Sequence, residues 1–332
     1  YVGLELINIL SKHPNVLIKF LGSDSSSNKN IKDIDNRISS KKLPILISNS
    51  AIDISEIDLV FLCLPHGISN KYAKKFFGKT SIIDLSADFR LDNINIYKKN
   101  YNSNHVCPNL LKKFIYGLPE VNFKLIQNNK YIAIPGCYPT SILLPLLPLL
   151  KEKLIKIDNI ICDSKSGYSG AGIKFNKTNL FNKKEQNFYN YNTNYHRHIC
   201  EIKQELQKNT NSSVGFSFNP HILPIFRGIM TTIYCDLNKS ITKNTVKNCL
   251  KKFYSKSKFI KIVNGPNRLD LFRVQNTNHC FITFFDHYDL SKIIIVSCID
   301  NLLKGASGQA IQCMNIMNNF KDSTGLEKYI SE

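Results

Sequence analysis

The residues best placed to do chemistry lie in Ile134-Pro135-Gly136-Cys137-Tyr138-Pro139-Thr140, where one cysteine stands between a β-prone run and a long apolar helix pattern. Tyr131-Ile132-Ala133-Ile134 favours a strand, Gly136 relieves the turn, and Pro139 has the fixed φ that suits a first helical turn. A thiol at a helix N-terminus faces unpaired backbone N–H groups, which lower its pKa and can hold the oxyanion of an attacked carbonyl. The spacing therefore predicts a nucleophile at Cys137; the alternative is a buried, inert side chain.

The elements that must carry this cysteine alternate between strand and helix. Residues 4–12 read as a helix, 16–22 as a strand, 59–64 as an apolar strand, 67–77 as a helix, 81–85 as a strand and 131–135 as the strand that delivers Cys137. Such alternation predicts a parallel sheet covered on both faces. The polar stretch 23–42 reads as surface loop with a short helix. Beyond about residue 157 longer strands take over, at 159–166, 214–219, 228–236 and 292–299, which predicts a second domain with a mixed sheet. The pattern over 306–320 is helical and suits a helix returning to the first domain. The expected architecture is thus α/β, a Rossmann-like domain plus an α+β mixed-sheet domain. At 332 residues the chain exceeds the usual single core, in keeping with two domains.

Composition removes several classes of function. The richest apolar stretch, 142–150, is broken by Pro145 and Pro148 and meets Lys151, so no span crosses a bilayer. The opening Tyr1-Val2-Gly3-Leu4-Glu5-Leu6 carries an acid and no basic leader, which predicts a cytoplasmic protein. Ten cysteines without a C-x-x-C pair predict reduced thiols rather than a zinc ribbon or disulfide framework. The formal charge of +19 comes from lysines scattered along the whole chain, whereas a nucleic-acid surface concentrates them in a patch or arm. No specific nucleic-acid partner is expected, although a basic field attracts phosphorylated ligands.

Read together, short segments in a fixed order resemble N-acetyl-gamma-glutamyl-phosphate reductases, relatives of the aspartate-semialdehyde dehydrogenases. They are Phe61-Leu62-Cys63-Leu64-Pro65-His66-Gly67, Ile83-Asp84-Leu85-Ser86-Ala87-Asp88-Phe89-Arg90-Leu91, Tyr116-Gly117-Leu118-Pro119-Glu120, the Cys137 segment, Ser166-Gly167-Tyr168-Ser169-Gly170-Ala171-Gly172, His196-Arg197-His198, Pro220-His221, Arg227-Gly228 and Asp300-Asn301-Leu302-Leu303-Lys304-Gly305-Ala306. Two departures stand out. The first strand and glycine-rich turn that such folds place ahead of Tyr1 are not in this sequence, and the Pro before the Glu of His-Arg-His-x-Pro-Glu is Cys200 here.

The resemblance implies NADPH-dependent reduction of an acyl phosphate to an aldehyde and inorganic phosphate through a thioester on Cys137. A thiol suits this, being nucleophilic near neutral pH and forming a thioester that accepts hydride. His198 would be the acid–base group, with Glu201 three residues on as its orienting carboxylate if the turn is helical. His196 would line the pocket. Alternatively, the histidines cap a surface turn, or His196, His198 and Cys200 bind a metal, for which no fourth ligand stands at a familiar spacing. Arg90, after a strand and so at the ligand-binding edge of the sheet, would hold the leaving phosphate; Arg227 would receive the substrate carboxylate or form a structural salt bridge. His221 would contact substrate or fix a turn beside the site.

For the cofactor, hydroxyls plus a basic group at a strand end accept a 2′-phosphate, so Ser23, Ser25 and Lys29 favour NADP(H), with Asp24 opposing this unless it caps a turn. Gly3, Leu64, Pro65, His66 and Ser86 would line the same rim; Gly170 and Gly172 would let backbone approach the nicotinamide, and Asn301 would hydrogen-bond its carboxamide. The expected domains are 1–138 for cofactor, 139–300 for substrate and dimerisation, and 301–332 returning to the first, in a homodimer or homotetramer. Two rivals are a sibling acting on a related acyl phosphate such as aminoadipyl phosphate, and a non-catalytic homologue.

Overall fold

The computed structural model describes residues 1–38, 43–172, 187–263 and 269–330. It begins with α1 (Val2–Leu10), followed by β1 (Leu21–Gly22) and β2 (Leu46–Ile47), which pair in parallel. A four-stranded parallel sheet follows, built from β3 (Leu59–Leu62), β4 (Ser81–Asp84), β5 (Ile115–Tyr116) and β6 (Tyr131–Ala133) in the order β3-β4-β6-β5. Its strands are mostly apolar because both faces are covered: Val60, Leu62, Ile82, Ile83 and Ile132 are all buried, and Ser81 and Asp84 stand only at the ends of β4. The covering helices include α2 (Ser69–Phe76), α3 (Ile94–Tyr101) and α4 (Pro119–Gln127).

The strand expected over 16–22 is a ladder only at Leu21–Gly22. A strand is held by its neighbours' hydrogen bonds, and β1 does not pair with β3. Instead a cavity of about 660 Å³ lies between them, lined among others by Leu6, Val16, Phe20, Leu21, Leu59 and Phe61. The expected strands 59–64 and 131–135 stop at Leu62 and Ala133, each shortly before a proline, Pro65 and Pro135, that has no N–H to give a ladder.

The second sheet is seven-stranded and mixed. It comprises β7 (Ile160–Gly167), β8 (Tyr189–Asn190), β9 (Phe216–Leu223), β10 (Ile229–Asp236), β11 (Ile260–Ile262), β12 (Cys280–Asp286) and β13 (Lys292–Ile299), in the order β11-β12-β13-β10-β7-β9-β8. Helices α5 (Cys137–Lys151), α6 (His198–Thr210) and α7 (Lys243–Phe253) share a core with this sheet, in which Leu143, Leu146 and Leu147 meet Ile160, Phe218, Ile229 and Ile233. Pro145 and Pro148 sit inside α5. A proline at 148 cannot donate to the carbonyl of Leu144, and the buried Tyr254 hydroxyl donates to that oxygen instead.

The chain then runs through a π-turn, Leu303–Ser307, into α8 (Gly308–Met317). Ala310, Ile311 and Met314 pack beside Ile9, Leu10, Ile83 and Ile132, so the C-terminal helix closes the core of the first sheet. Both lobes thereby meet at Cys137, which ends the loop from β6 and begins α5.

Candidate active site

Gly136 is the N-cap of α5, and its N–H donates to Glu201 Oε1 at 2.8 Å. A Cβ at 136 would lie 2.5 Å from His198 Nε2, so only glycine lets the imidazole approach the residue before the nucleophile. On another side of Cys137, a Cβ on Gly305 would lie 2.7 Å from the cysteine Cβ, which places the π-turn backbone directly against it. Burial raises the Cys137 pKa, while the Arg90 charge, the Tyr138 N–H and the Arg197 charge oppose that rise. The expected lowering by the helix start is therefore overturned: desolvation dominates, and the resting sulfur is a thiol that needs a base.

His198 and His196 sit at the start of α6 with ring centroids 4.7 Å apart. Both are buried, and burial is the main cause that lowers their pKa, to about 4 for His196 and well below the ordinary imidazole range for His198. His196 Nδ1 accepts the His198 backbone N–H at 3.1 Å, so Nε2 carries its hydrogen and faces the Tyr191 hydroxyl at 3.3 Å. Tyr191 donates to the Tyr138 hydroxyl at 3.3 Å, which donates to the His221 carbonyl at 3.1 Å. His198 Nε2 lies 3.5 Å from the donor Arg90 Nη1, which makes Nε2 the acceptor nitrogen, and Nδ1 is buried without a hydrogen-bond partner among the described residues.

Glu201 shares α6 with His198 but is not its hydrogen-bond partner. Its fully buried carboxylate accepts from the Tyr116 hydroxyl at 2.7 Å, Gly136 N at 2.8 Å and Arg90 Nη1 at 3.3 Å. The spacing rightly put both groups on one helix; the carboxylate turns instead to the stronger donors of the other lobe.

The two arginines expected to meet substrate anions are largely occupied. Arg90 donates from Nε to the Ile134 carbonyl at 2.8 Å and from Nη2 to the Leu85 carbonyl at 3.1 Å, besides its contact with Glu201. Arg227 is buried and takes the structural alternative: it bridges Glu5 at 2.5 Å, Asn276 at 2.7 Å and Asp300 at 3.3 Å. His221 Nδ1 lies 3.1 Å from Asp163, and its ring stacks on Phe188.

Of the residues expected around a cofactor, Ser25 and Lys29 are exposed and Ser23 is half-buried just beyond β1. Asp24 turns away from them, accepting from Ser48 Oγ, Asn49 N and Asn49 Nδ2 at 2.8–3.0 Å, and so caps the next turn. Gly3, near the start of α1, packs over Cys63, and Leu64 and Pro65 follow β3 at the carboxyl edge of the sheet. His66 faces inward, with Nδ1 2.7 Å from Asp88 Oδ1. Ser86 donates to Asp84 and accepts from Asp88 N, so it holds its own loop. Gly172 takes φ +86° with open space at its α-carbon. Gly170 neighbours Asn301, whose amide is held by Gly228 N at 2.7 Å and Ser169 Oγ at 2.9 Å.

Comparison with known proteins agrees with this arrangement. The semialdehyde dehydrogenase NAD binding domain matches residues 1–129, and the semialdehyde dehydrogenase dimerisation domain matches residues 137–301. An N-acetyl-gamma-glutamyl-phosphate reductase of Ehrlichia canis (strain Jake) is 41% identical over 98% of this chain and 94% of its own length. The chain belongs to this reductase family. Another reductase of that name, from Caldicellulosiruptor bescii, is 44% identical over 98% of this chain and 95% of its own length. Aspartate semialdehyde dehydrogenase II from Vibrio cholerae shares the fold, with a TM-score of 0.72 at 18% identity over 96% of this chain and 95% of that one.

For a chain of this reductase family, three features of the site were not read from sequence. Tyr116 anchors Glu201, Asp88 gathers Gly67 N, Asn70 N and the Tyr97 hydroxyl, and the fully buried Lys304 pairs with Glu120 at 2.6 Å. Each lies within a motif already quoted, but its partner lies in a different segment.

Proposed function

We propose that this protein reduces N-acetyl-L-glutamyl 5-phosphate to N-acetyl-L-glutamate 5-semialdehyde and inorganic phosphate, a step of arginine biosynthesis, with NADPH as reductant. The observation that carries the reading is Cys137 at the start of α5, with His198 against Gly136 and the Glu201 carboxylate holding the turn through Gly136 N.

In this reading the Cys137 sulfur attacks the acyl carbonyl, the thiol proton passes to His198 Nε2, and the carbon–oxygen bond to phosphate breaks, leaving a thioester and inorganic phosphate. Neutral His198 is suited to accept because Nε2 is its acceptor nitrogen, engaged only by a long 3.5 Å contact from Arg90 Nη1. The Tyr138 N–H and the Arg90 charge favour the thiolate as it forms. Glu201 and Arg90 are positioning residues: they hold Gly136 and the Ile134 carbonyl, and so the turn that aims the sulfur. His198 returns its proton to the thiolate when the aldehyde departs.

The residues present fit NADPH. Hydroxyls at the half-buried Ser23 and the exposed Ser25 with the exposed Lys29 suit a 2′-phosphate once Asp24 is turned away, and Gly172 leaves room for close approach. Gly3, Leu64 and Pro65 would flank the cofactor; His66, Ser86, Gly170 and Asn301 would support its rim from within. When bound, NADPH supplies the hydride that converts the thioester to the aldehyde. Residues 1–138 with the returning helix would form the cofactor lobe and 139–300 the catalytic and dimerisation lobe of a homodimer or homotetramer. Ten unpaired cysteines suit the reducing cytoplasm.

The test is phosphate-dependent oxidation of N-acetylglutamate semialdehyde by NADP. Turnover with this aldehyde and not with the aminoadipate semialdehyde supports the assignment, and the reverse preference moves it to the sibling substrate.

A further inference from the structure

Helix α6 carries His198, Glu201, Gln204 and Lys208 at spacings of three and four, which puts them on one face, and that face meets the segment Arg90-Leu91-Asp92 of the other lobe. Gln204 grips the backbone of this segment. Its Nε2 donates to the Arg90 carbonyl at 2.9 Å and its Oε1 accepts the Asp92 N–H at 2.8 Å. Neither backbone group has a backbone partner among the described residues, so one side-chain amide stands where a neighbouring strand would. The other Nε2 hydrogen goes to Glu205 Oε1 at 3.0 Å, which fixes the orientation of the amide. Leu91, between the two gripped groups, is fully buried and clusters with Cys200 of the same helix. The grip reaches the nucleophile through Arg90. Its Nε donates to the Ile134 carbonyl at 2.8 Å, two residues before the Gly136 cap of α5, and its Nη1 meets Glu201 at 3.3 Å. Glu201 thus holds the guanidinium and Gln204 the backbone of the same arginine, so α6 fixes it at both ends.

We propose that Gln204 is a positioning residue of the site: its amide ties the Arg90 backbone of one lobe to the helix of the other that bears His198 and Glu201, and so sets where Arg90 stands beneath the Cys137 turn. The kinetic test rests on the acyl-phosphate reading above; the labelling test does not. Gln204→Met keeps the length of the side chain and removes both backbone bonds. In the phosphate-dependent oxidation of the semialdehyde by the full chain, at saturating phosphate, it lowers kcat about tenfold while the semialdehyde KM and the NADPH affinity stay within about twofold. In an Arg90→Lys background the same substitution costs less than about twofold, because Gln204 acts through the arginine. Independently of turnover, iodoacetamide labelling of Cys137, read at that residue by peptide mass spectrometry, slows severalfold in Gln204→Met, since a displaced guanidinium no longer favours the thiolate. The buried Cys162 and Cys280 stay protected from the reagent as in the wild type. An unchanged kcat, equal losses in the two backgrounds, or wild-type labelling of Cys137 overturns the proposal. So does new labelling of Cys162 or Cys280, which would make Gln204 a support of the fold at large. If the wild type shows no phosphate-dependent turnover, the reaction reading fails, while the labelling experiment still decides whether Gln204 acts on the Cys137 turn.

Discussion

At the scale of single residues, burial governs the chemistry of this site. Burial pushes the Cys137 thiol pKa up and both imidazole pKa values down, which favours the neutral form of each group. The helix-start rule was legible in the sequence and correctly placed the cysteine; the desolvation that outweighs it depends on residues 90, 198 and 305 closing around it, which no local pattern displays. Glu201 shows the same limit. Its hydrogen-bond partners are 65, 85 and 111 residues away, so its spacing to His198 was visible and its actual bonds were not. Glu201→Gln should lower kcat about ten- to a hundredfold and, by leaving Arg90 buried against a neutral amide, destabilise the fold by about 3–5 kcal/mol; steady-state kinetics and urea unfolding check both. The acid side of the stability profile follows from His196. Its folded pKa of about 4 lies below the unfolded value near 6.5, so the unfolded chain binds the extra proton between them. The stability contributed is present above about pH 6.5 and is lost as pH falls toward 4. Asp84, raised by burial to about 6, runs the other way and offsets part of this. His196→Gln should flatten the loss of stability on going from pH 7 to 5, measured by urea unfolding; an unchanged slope contradicts it.

At the scale of elements, the alternation of strand and helix in the first half and the run of longer strands in the second were legible from hydrophobic pattern, because buried parallel strands are apolar at nearly every position. What failed was the strand 16–22, since a strand is a property of its neighbours as much as of its residues, and Val16 to Phe20 face a cavity where β3 offers no pairing. The π-turn at Leu303–Ser307 was also invisible, although Lys304-Gly305-Ala306 stood within a quoted motif. Its function is local: the backbone of Gly305 touches Cys137, and π-turns recur where backbone is shaped for a site. Gly305→Ala would drive a methyl to within 2.7 Å of the cysteine Cβ. The expected outcome is a fall in kcat of about tenfold or more with NADPH binding retained, measured by kinetics and cofactor titration; unchanged kcat would show that the contact does not set the sulfur.

For the molecule as a whole, the two lobes are joined by buried charge. Arg227 of the second lobe meets Glu5 of α1, so the mixed-sheet lobe and the α/β lobe share an ion pair, while Lys304 meets Glu120 of α4 and ties the returning C-terminal segment to the first lobe. Breaking one partner of such a pair leaves an uncompensated charge, so Arg227→Met should cost about 3–5 kcal/mol while leaving the substrate KM nearly unchanged; a selective rise in KM would return Arg227 to substrate binding. The two-domain α/β plan was legible because each sheet has its own pattern, whereas these bridges join residues more than 180 positions apart. The central claim is that Cys137 carries an acyl group between phosphate release and reduction. It is tested most directly by mixing N-acetylglutamate semialdehyde and NADP with the wild type and with Cys137→Ser, each with and without phosphate. The account predicts NADPH formation only in the wild type and only with phosphate; sustained phosphate-dependent turnover by Cys137→Ser would contradict it.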